Sequence, residues 1–117
     1  MSERDDLVWR ALADPARRRI LDLLRTGPRT TGELAARFPR ISRIAVMKHL
    51  EVLVRAHLVL ARRQGRSRWN HLNPVPIQRV CERWVRGHTA VLASGLLALK
   101  DHLEGSHRKP QKEKSHD

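Results

Sequence analysis

One cysteine, Cys81, is all the thiol this chain of 117 residues carries. An internal disulfide framework is therefore excluded, and the composition suits a reducing cytoplasm. Apolar runs of membrane-spanning length are missing, and the opening Met-Ser-Glu-Arg-Asp-Asp is expected to be too acidic and too polar for a signal peptide. Patterns that carry catalysis are missing as well. There is no glycine-rich phosphate loop and no carboxylate pair at a useful spacing, and the Cys81/His88 neighbours fall on a segment patterned for packing, so no enzyme is expected. No internal repeat is visible. The last deficit is of acid: between residues 37 and 68, Glu51 alone stands against nine Lys and Arg.

That imbalance is the strongest compositional signal. The chain carries 24 Lys and Arg against 12 Asp and Glu, a net +12, and residues 37–68 alone contribute +8. Charge concentrated in this way is the footprint of a surface that meets a polyanion. A membrane surface fits less well, because no strongly amphipathic Trp/Phe/Leu face accompanies the cations. With 40% hydrophobic residues the rest is ordinary for one globular domain, small enough that self-association would help to stabilise it.

The centre of the basic region is Ser42–Ala56, Ser-Arg-Ile-Ala-Val-Met-Lys-His-Leu-Glu-Val-Leu-Val-Arg-Ala. Ser42 is a good N-cap, and neither Gly nor Pro interrupts the stretch behind it. Ala45, Val46, His49, Leu50 and Leu53 recur on one face of a 3.6-residue period and should turn inward. The other face carries Arg43, Ile44, Met47, Lys48 and Glu51. A purely solvated face would rarely hold Ile and Met together.

Around this helix the chain punctuates itself. Leu7, Val8, Ala11 and Leu12 mark a first helix over residues 3–13, with Trp9 at its edge. Asp14-Pro15 opens a second, with Ala16, Ile20, Leu21 and Leu24 inward, and Gly27-Pro28 stops it. Thr30 and Glu33 have capping-box spacing and open a short third helix with Leu34, Ala35 and Phe38 inward, ended by Pro39. The third and fourth helices form a helix-turn-helix over 30–56. Residues 58–64 and 67–72 read as strands around a Gly65-Arg66 turn, a β-hairpin wing over 58–72. From residue 75 to 104 a single apolar stripe runs from Ile77 to Leu103, a long helix more suited to a second subunit than to its own small domain. Residues 105–117 lack apolar side chains and are expected to be a disordered basic tail. The expectation is thus a mostly α domain over 1–104 with one small hairpin, in the order four helices, two strands, one helix: a winged helix-turn-helix.

Four separately placed motifs, Ala-Leu-Ala-Asp-Pro-Ala-Arg-Arg-Arg-Ile-Leu-Asp-Leu-Leu at 11–24, Thr-Thr-Gly-Glu-Leu-Ala at 30–35, Ile-Ser-Arg-Ile-Ala-Val-Met-Lys-His-Leu-Glu-Val-Leu at 41–53 and Gly-Arg-Ser-Arg-Trp-Asn-His-Leu-Asn-Pro at 65–74, resemble those of ArsR-type (ArsR/SmtB-like) transcriptional regulators. The resemblance covers roughly residues 5–104. It implies a homodimeric winged helix-turn-helix repressor of bacterial type that is cytoplasmic, binds double-stranded DNA, dimerises through its first and last helices and answers to an effector. More narrowly, the Ala-Val-Met-Lys-His-Leu segment and the run from Asn73 to Val85 resemble the non-metal branch often found beside genes for START-like (SRPBCC) proteins. Metal-sensing members carry a Cys pair in a Glu-Leu-Cys-Val-Cys-type segment on the third helix, and the matching positions here read Glu33-Leu34-Ala35-Ala36-Arg37, so that thiolate site is absent.

For DNA contact the expected residues are Arg43 and Lys48 at base edges or adjacent phosphates, Ile44 and Met47 on thymine methyls, Ser42 and Thr31 on phosphates, and Arg62, Arg63, Arg66 and Arg68 on flanking DNA. Family members often carry Ser where Met47 stands, which favours an apolar contact here; the competing reading is that Met47 turns inward. His49 is expected to pack against a neighbouring helix. For Arg17-Arg18-Arg19, ion pairing with Asp14 and Asp22 competes evenly with phosphate contact. The expected dimer interface is Leu7, Val8, Val80, Trp84, Val91, Leu92, Leu96 and Leu99, with Cys81 a small buried hydrophobe at its core. No cofactor or metal is expected; a metal-responsive repressor using His88, Asp101, His102 and Glu104 is the alternative, as is a basic protein that coats nucleic acid without sequence preference. An unknown small-molecule effector is the remaining partner.

Overall fold

Two residues separate the first two helices, and the connection is capped on both sides. The computed structural model describes residues 2–106, with the side chains of residues 89–93 and 106 outside that description. Helix α1 (Glu3–Leu12) starts on Ser2, whose Oγ accepts the Asp5 N–H, and its first turn holds Glu3, Asp5 and Asp6 against the positive end of the helix dipole. Helix α2 (Pro15–Leu24) starts on Asp14, whose carboxylate accepts the N–H of Ala16 at 2.7 Å and of Arg17 at 3.4 Å, with Pro15 at the first helical position. Burial pushes the Asp14 carboxyl up, but those two N–H groups and the nearby His49 and Arg17 outweigh it and hold it below the usual carboxylate range.

A two-residue strand β1 (Arg29–Thr30) precedes helix α3 (Thr31–Ala36). The Thr30–Glu33 spacing makes a reciprocal capping box: Thr30 Oγ1 accepts the Glu33 N–H at 3.1 Å, and Glu33 Oε1 accepts the Thr30 N–H at 2.8 Å. Helix α4 (Arg43–Arg55) starts on Ser42, whose Oγ accepts the Ala45 N–H at 3.0 Å. It ends in a Schellman motif, with the Leu58 N–H on the Leu53 carbonyl and the His57 N–H on the Val54 carbonyl, both at 2.9 Å. The left-handed position of that motif is occupied by His57, φ +61°, where glycine is usual.

Strands β2 (Val59–Gln64) and β3 (Ser67–Leu72) form the antiparallel hairpin. Gly65, φ +61°, takes the first central position of the two-residue turn, where a left-handed conformation matches the twist of the strands. β1 adds to the far side of β3, pairing Arg29 with Asn70 and Thr30 with Trp69, so the sheet order is β1-β3-β2. A two-residue strand has no periodicity of its own, and the sequence pattern does not reveal it.

The core is one cluster. Val8 and Ala11 of α1, Ile20, Leu21 and Leu24 of α2, Leu34 of α3, Val46, Leu50 and Leu53 of α4, and Leu58 and Val59 of the wing are buried together. Val46, Leu50 and Leu53 are each 0% exposed at i, i+4 and i+7, so the inward stripe of α4 is fully committed to packing. Ala45 and His49 flank it, half-buried.

The chain divides into two units, Met1–Cys81 and Glu82–Asp117, each compact in itself. Where a single helix over 75–104 is expected, there are two, α5 (Val75–Gly87) and α6 (Thr89–Ser106), separated at His88. Within the first unit the opening turns of α5 join the core, Val80 being buried and Ile77 partly so. The apolar stripe read as continuous therefore belongs to two helices, and Ile77 and Val80 of the first are committed to the core. In the second unit Trp84 and His88 stack with ring centroids 4.3 Å apart, His88 Nδ1 lies 2.8 Å from the Trp84 carbonyl oxygen, and Arg86 pairs with Glu82 at 2.6 Å on an exposed face. Leu96, Leu97, Leu99 and Leu103 of α6 are exposed. The expectation for residues 105–117 lies almost wholly outside the described residues.

Candidate nucleic-acid interface

The exposed face of α4 follows from its buried one. With Val46, Leu50 and Leu53 inward, helical geometry turns Arg43, Ile44, Met47, Lys48 and Glu51 outward, and all five are exposed. Ile44 is 67% exposed and Met47 42%, so Met47 does not turn inward as a gap-filler. Ser42 is exposed too, and since its oxygen serves as a cap acceptor the hydroxyl hydrogen is still free to donate. The result is a helix end that presents cations beside apolar probes. Such a helix fits the major groove, whose floor offers both acceptor edges and thymine methyls.

Thr31 does not share this surface. It is 5% exposed, and its Oγ1 accepts from Asn70 Nδ2 at 3.2 Å, so the expected phosphate contact at Thr31 is withdrawn. Asn70 is the polar residue that sequence reasoning missed. It is fully buried in β3, its amide donates both to Thr31 and to the Arg29 carbonyl at 3.2 Å, and it ties the wing to the start of α3. Its signal in the sequence is faint: an Asn inside a strand pattern where a β-branched residue would be ordinary. Arg43 belongs to the same neighbourhood, its guanidinium lying 3.9 Å from where a Cβ on Gly32 would be.

In the wing, register decides which arginines face together. Arg63 stands directly opposite Arg68, and Arg62 opposite Trp69, so Arg63 and Arg68 share one face of the ribbon and Arg62 lies on the other. Arg62, Arg63 and Arg66 are exposed, whereas Arg68 is half-buried with its Nε lacking a hydrogen-bond partner among the described residues. Like charges directly across a strand pair destabilise a hairpin. No ion pair with a carboxylate offsets this pair among the described residues.

Arg17, Arg18 and Arg19, by contrast, are used within the chain. Arg17 donates from Nε to the Ala11 carbonyl at 2.8 Å and from its terminal nitrogens to the Arg10 carbonyl at 3.0 Å and to His49 Nδ1 at 3.3 Å, with Asp14 at 3.9 Å. Arg18 donates to the Leu12 carbonyl at 2.6 Å. Together they donate to the last carbonyls of α1, of which that of Arg10 also accepts the Ala13 N–H at 3.3 Å. Arg19 lies over the Phe38 ring at 5.5 Å. Asp22, one of the two candidate ion-pair partners for this run, pairs with Arg25, and both are well exposed. His49 does pack against its neighbouring helix, through Arg17.

The expected dimer residues separate into three groups. Val8 and Val80 are 1% and 2% exposed in the core of the first unit, so both are withdrawn from the interface: they already have partners in their own chain. Leu7, Trp84, Leu96 and Leu99 are exposed, and Cys81 is exposed on the isolated chain. Val91 and Leu92 lie outside the described side chains. Among the described residues no three His, Cys, Asp or Glu side chains gather into a metal-binding group, and no helix is long and apolar enough to cross a membrane.

Comparison with known proteins agrees with this geometry. A family described as a helix-turn-helix domain matches residues 12–62. The HTH-type transcriptional regulator Rv2034 of Mycobacterium tuberculosis is 48% identical over 69 residues, which are 59% of this chain and 64% of that protein, so the match spans under two thirds of its length. The transcriptional repressor SdpR of Bacillus subtilis is 38% identical over 71 residues, 61% of this chain and 78% of SdpR. Among solved structures, the ArsR family transcriptional regulator RHA00566 superposes with a TM-score of 0.70 at 32% identity, over 79% of this chain and 93% of that one.

Proposed function

The chain belongs to the ArsR family of winged helix-turn-helix transcriptional regulators, and from that premise we propose that it is a homodimeric repressor of a palindromic operator. In this reading α4 lies in the major groove, with Arg43 and Lys48 on base edges or adjacent phosphates, Ile44 and Met47 on thymine methyls, and the Ser42 hydroxyl on a phosphate. The wing, Arg62, Arg63, Arg66 and Arg68, follows the flanking backbone. The repressor acts in the cytoplasm, where its operator is, and an effector bound elsewhere on the protein weakens its hold.

The observation that carries this reading is the division of α4 into a fully buried stripe and an exposed face of Arg43, Ile44, Met47 and Lys48. A face used only for solvation would not present two large apolar side chains to water beside two cations. Replacing Arg43 with Ala should lower operator affinity by about 1–3 kcal/mol while leaving binding to scrambled duplex nearly unchanged. Equal losses on both duplexes would mean that Arg43 contacts phosphate only.

Dimerisation rests on the second unit, whose α6 presents Leu96 at 66% and Leu99 at 52% exposure. Leucines so placed on one helix suit a second copy of the same helix. Leu96→Glu with Leu99→Glu should give a monomer by light scattering; a dimer that persists would move the seam elsewhere.

A further inference from the structure

At the turn between α3 and α4 lies a concavity of about 270 Å³, lined by Arg19, Arg37, Phe38, Pro39, Arg40 and Ile41. Its walls are of two kinds. Phe38, Pro39 and Ile41 supply flat apolar surface, with Phe38 braced from behind by the core cluster. Arg37 and Arg40 are exposed, and among the described residues neither is paired with a carboxylate. Arg19 reaches in from α2, its guanidinium 5.5 Å from the centre of the Phe38 ring. No acidic side chain lines the space.

We propose that this concavity binds a small aromatic carboxylate. Planar guanidiniums take a carboxylate in a two-pronged grip, and the apolar wall takes the ring. The volume lies just below the range typical of drug-sized ligands, which suits a one-ring compound. A nucleic-acid phosphate satisfies the arginines but has nothing with which to cover Phe38, Pro39 and Ile41. Arg40 and Ile41 run directly into Ser42, the cap of α4, so an occupied site sets negative charge beside the end of that helix. The ligand and operator DNA therefore oppose each other, a consequence that rests on the DNA-binding reading above.

The test is an amide-resolved NMR titration of the full chain, without DNA, using sodium benzoate, benzyl alcohol and inorganic phosphate. Benzoate should give saturable shifts at Phe38, Arg40 and Ile41, with both controls at least about tenfold weaker and Arg37→Ala/Arg40→Ala weakening benzoate by about tenfold or more. Phosphate binding as tightly as benzoate would reduce the site to an anion surface, benzyl alcohol doing so would reduce it to an apolar patch, and absence of saturable shifts would remove it; each overturns the proposal. Because DNA is absent, this result is independent of whether α4 reads an operator. In a second arm saturating benzoate should weaken operator binding about tenfold, and unchanged affinity would overturn the opposition between ligand and DNA.

Discussion

Replacing Arg63 with Gln should move stability and DNA binding in opposite directions. The register sets Arg63 directly opposite Arg68, and Arg68 is half-buried, so their repulsion is only partly screened by water. Removing one of two like charges across a strand pair should stabilise the hairpin by up to about 1 kcal/mol. In the proposed dimer the same change removes one DNA-backbone contact from each protomer. Every phosphate that goes unneutralised should flatten the log–log dependence of affinity on salt by about 0.9, or about 1.8 for a two-protomer complex. Urea denaturation reads the first effect, and fluorescence anisotropy on operator duplex over a salt series reads the second. A salt slope that does not change would remove Arg63 from the DNA contacts. A fall in stability of more than about 1 kcal/mol would show that Arg63 holds the wing together, against the cross-strand argument.

Three further substitutions test how the scaffold supports the site. Arg17→Met removes the donors to the Ala11 and Arg10 carbonyls, the second of which keeps the Ala13 N–H, and should cost about 1–3 kcal/mol in urea denaturation; a loss under about 0.5 kcal/mol would mean that water replaces them without penalty. His57→Gly relieves a left-handed residue at φ +61° and should stabilise by up to about 1 kcal/mol, whereas destabilisation would assign the imidazole a contact of its own. Asp14 has its carboxyl held below the usual range, so its charge contributes stability above the ordinary carboxylate pKa, and that contribution is lost as pH falls through the lowered folded value. Asp14→Asn keeps a capping acceptor without the charge, so wild type should lead the variant at neutral pH and converge with it in acid, as followed by thermal denaturation; a gap independent of pH would contradict the sign.

Much of this architecture is legible in the sequence because local signals and tertiary needs agree. Ser42, Asp14 and the Thr30–Glu33 pair are caps, and caps depend on a few adjacent residues. The α4 stripe is legible for the same reason: three aliphatic positions at one period suffice to orient the helix, and the exposed face is then determined. The features that could not be read depend on contacts between separate elements. Asn70 meets Thr31 across 39 residues, and nothing near either one signals the other. Arg17 and Arg18 have aspartates nearby in sequence, yet the two-residue link between α1 and α2 brings helix-end carbonyls within reach, and both guanidiniums donate to them. Val8 and Val80 are legible as apolar but not as already partnered. A stripe along one helix shows which side is hydrophobic, not whether its own domain or a second subunit covers it.

Sequence reading by α4 through Arg43, Lys48, Ile44 and Met47 is the central claim. Its most direct test is an anisotropy titration of the full chain against a duplex from its own upstream region and against a scrambled duplex of equal length and composition, at the same salt. The upstream duplex should be preferred by at least about 10³-fold. Equal affinity for the two would contradict the claim and leave a basic protein that coats nucleic acid by its phosphates alone.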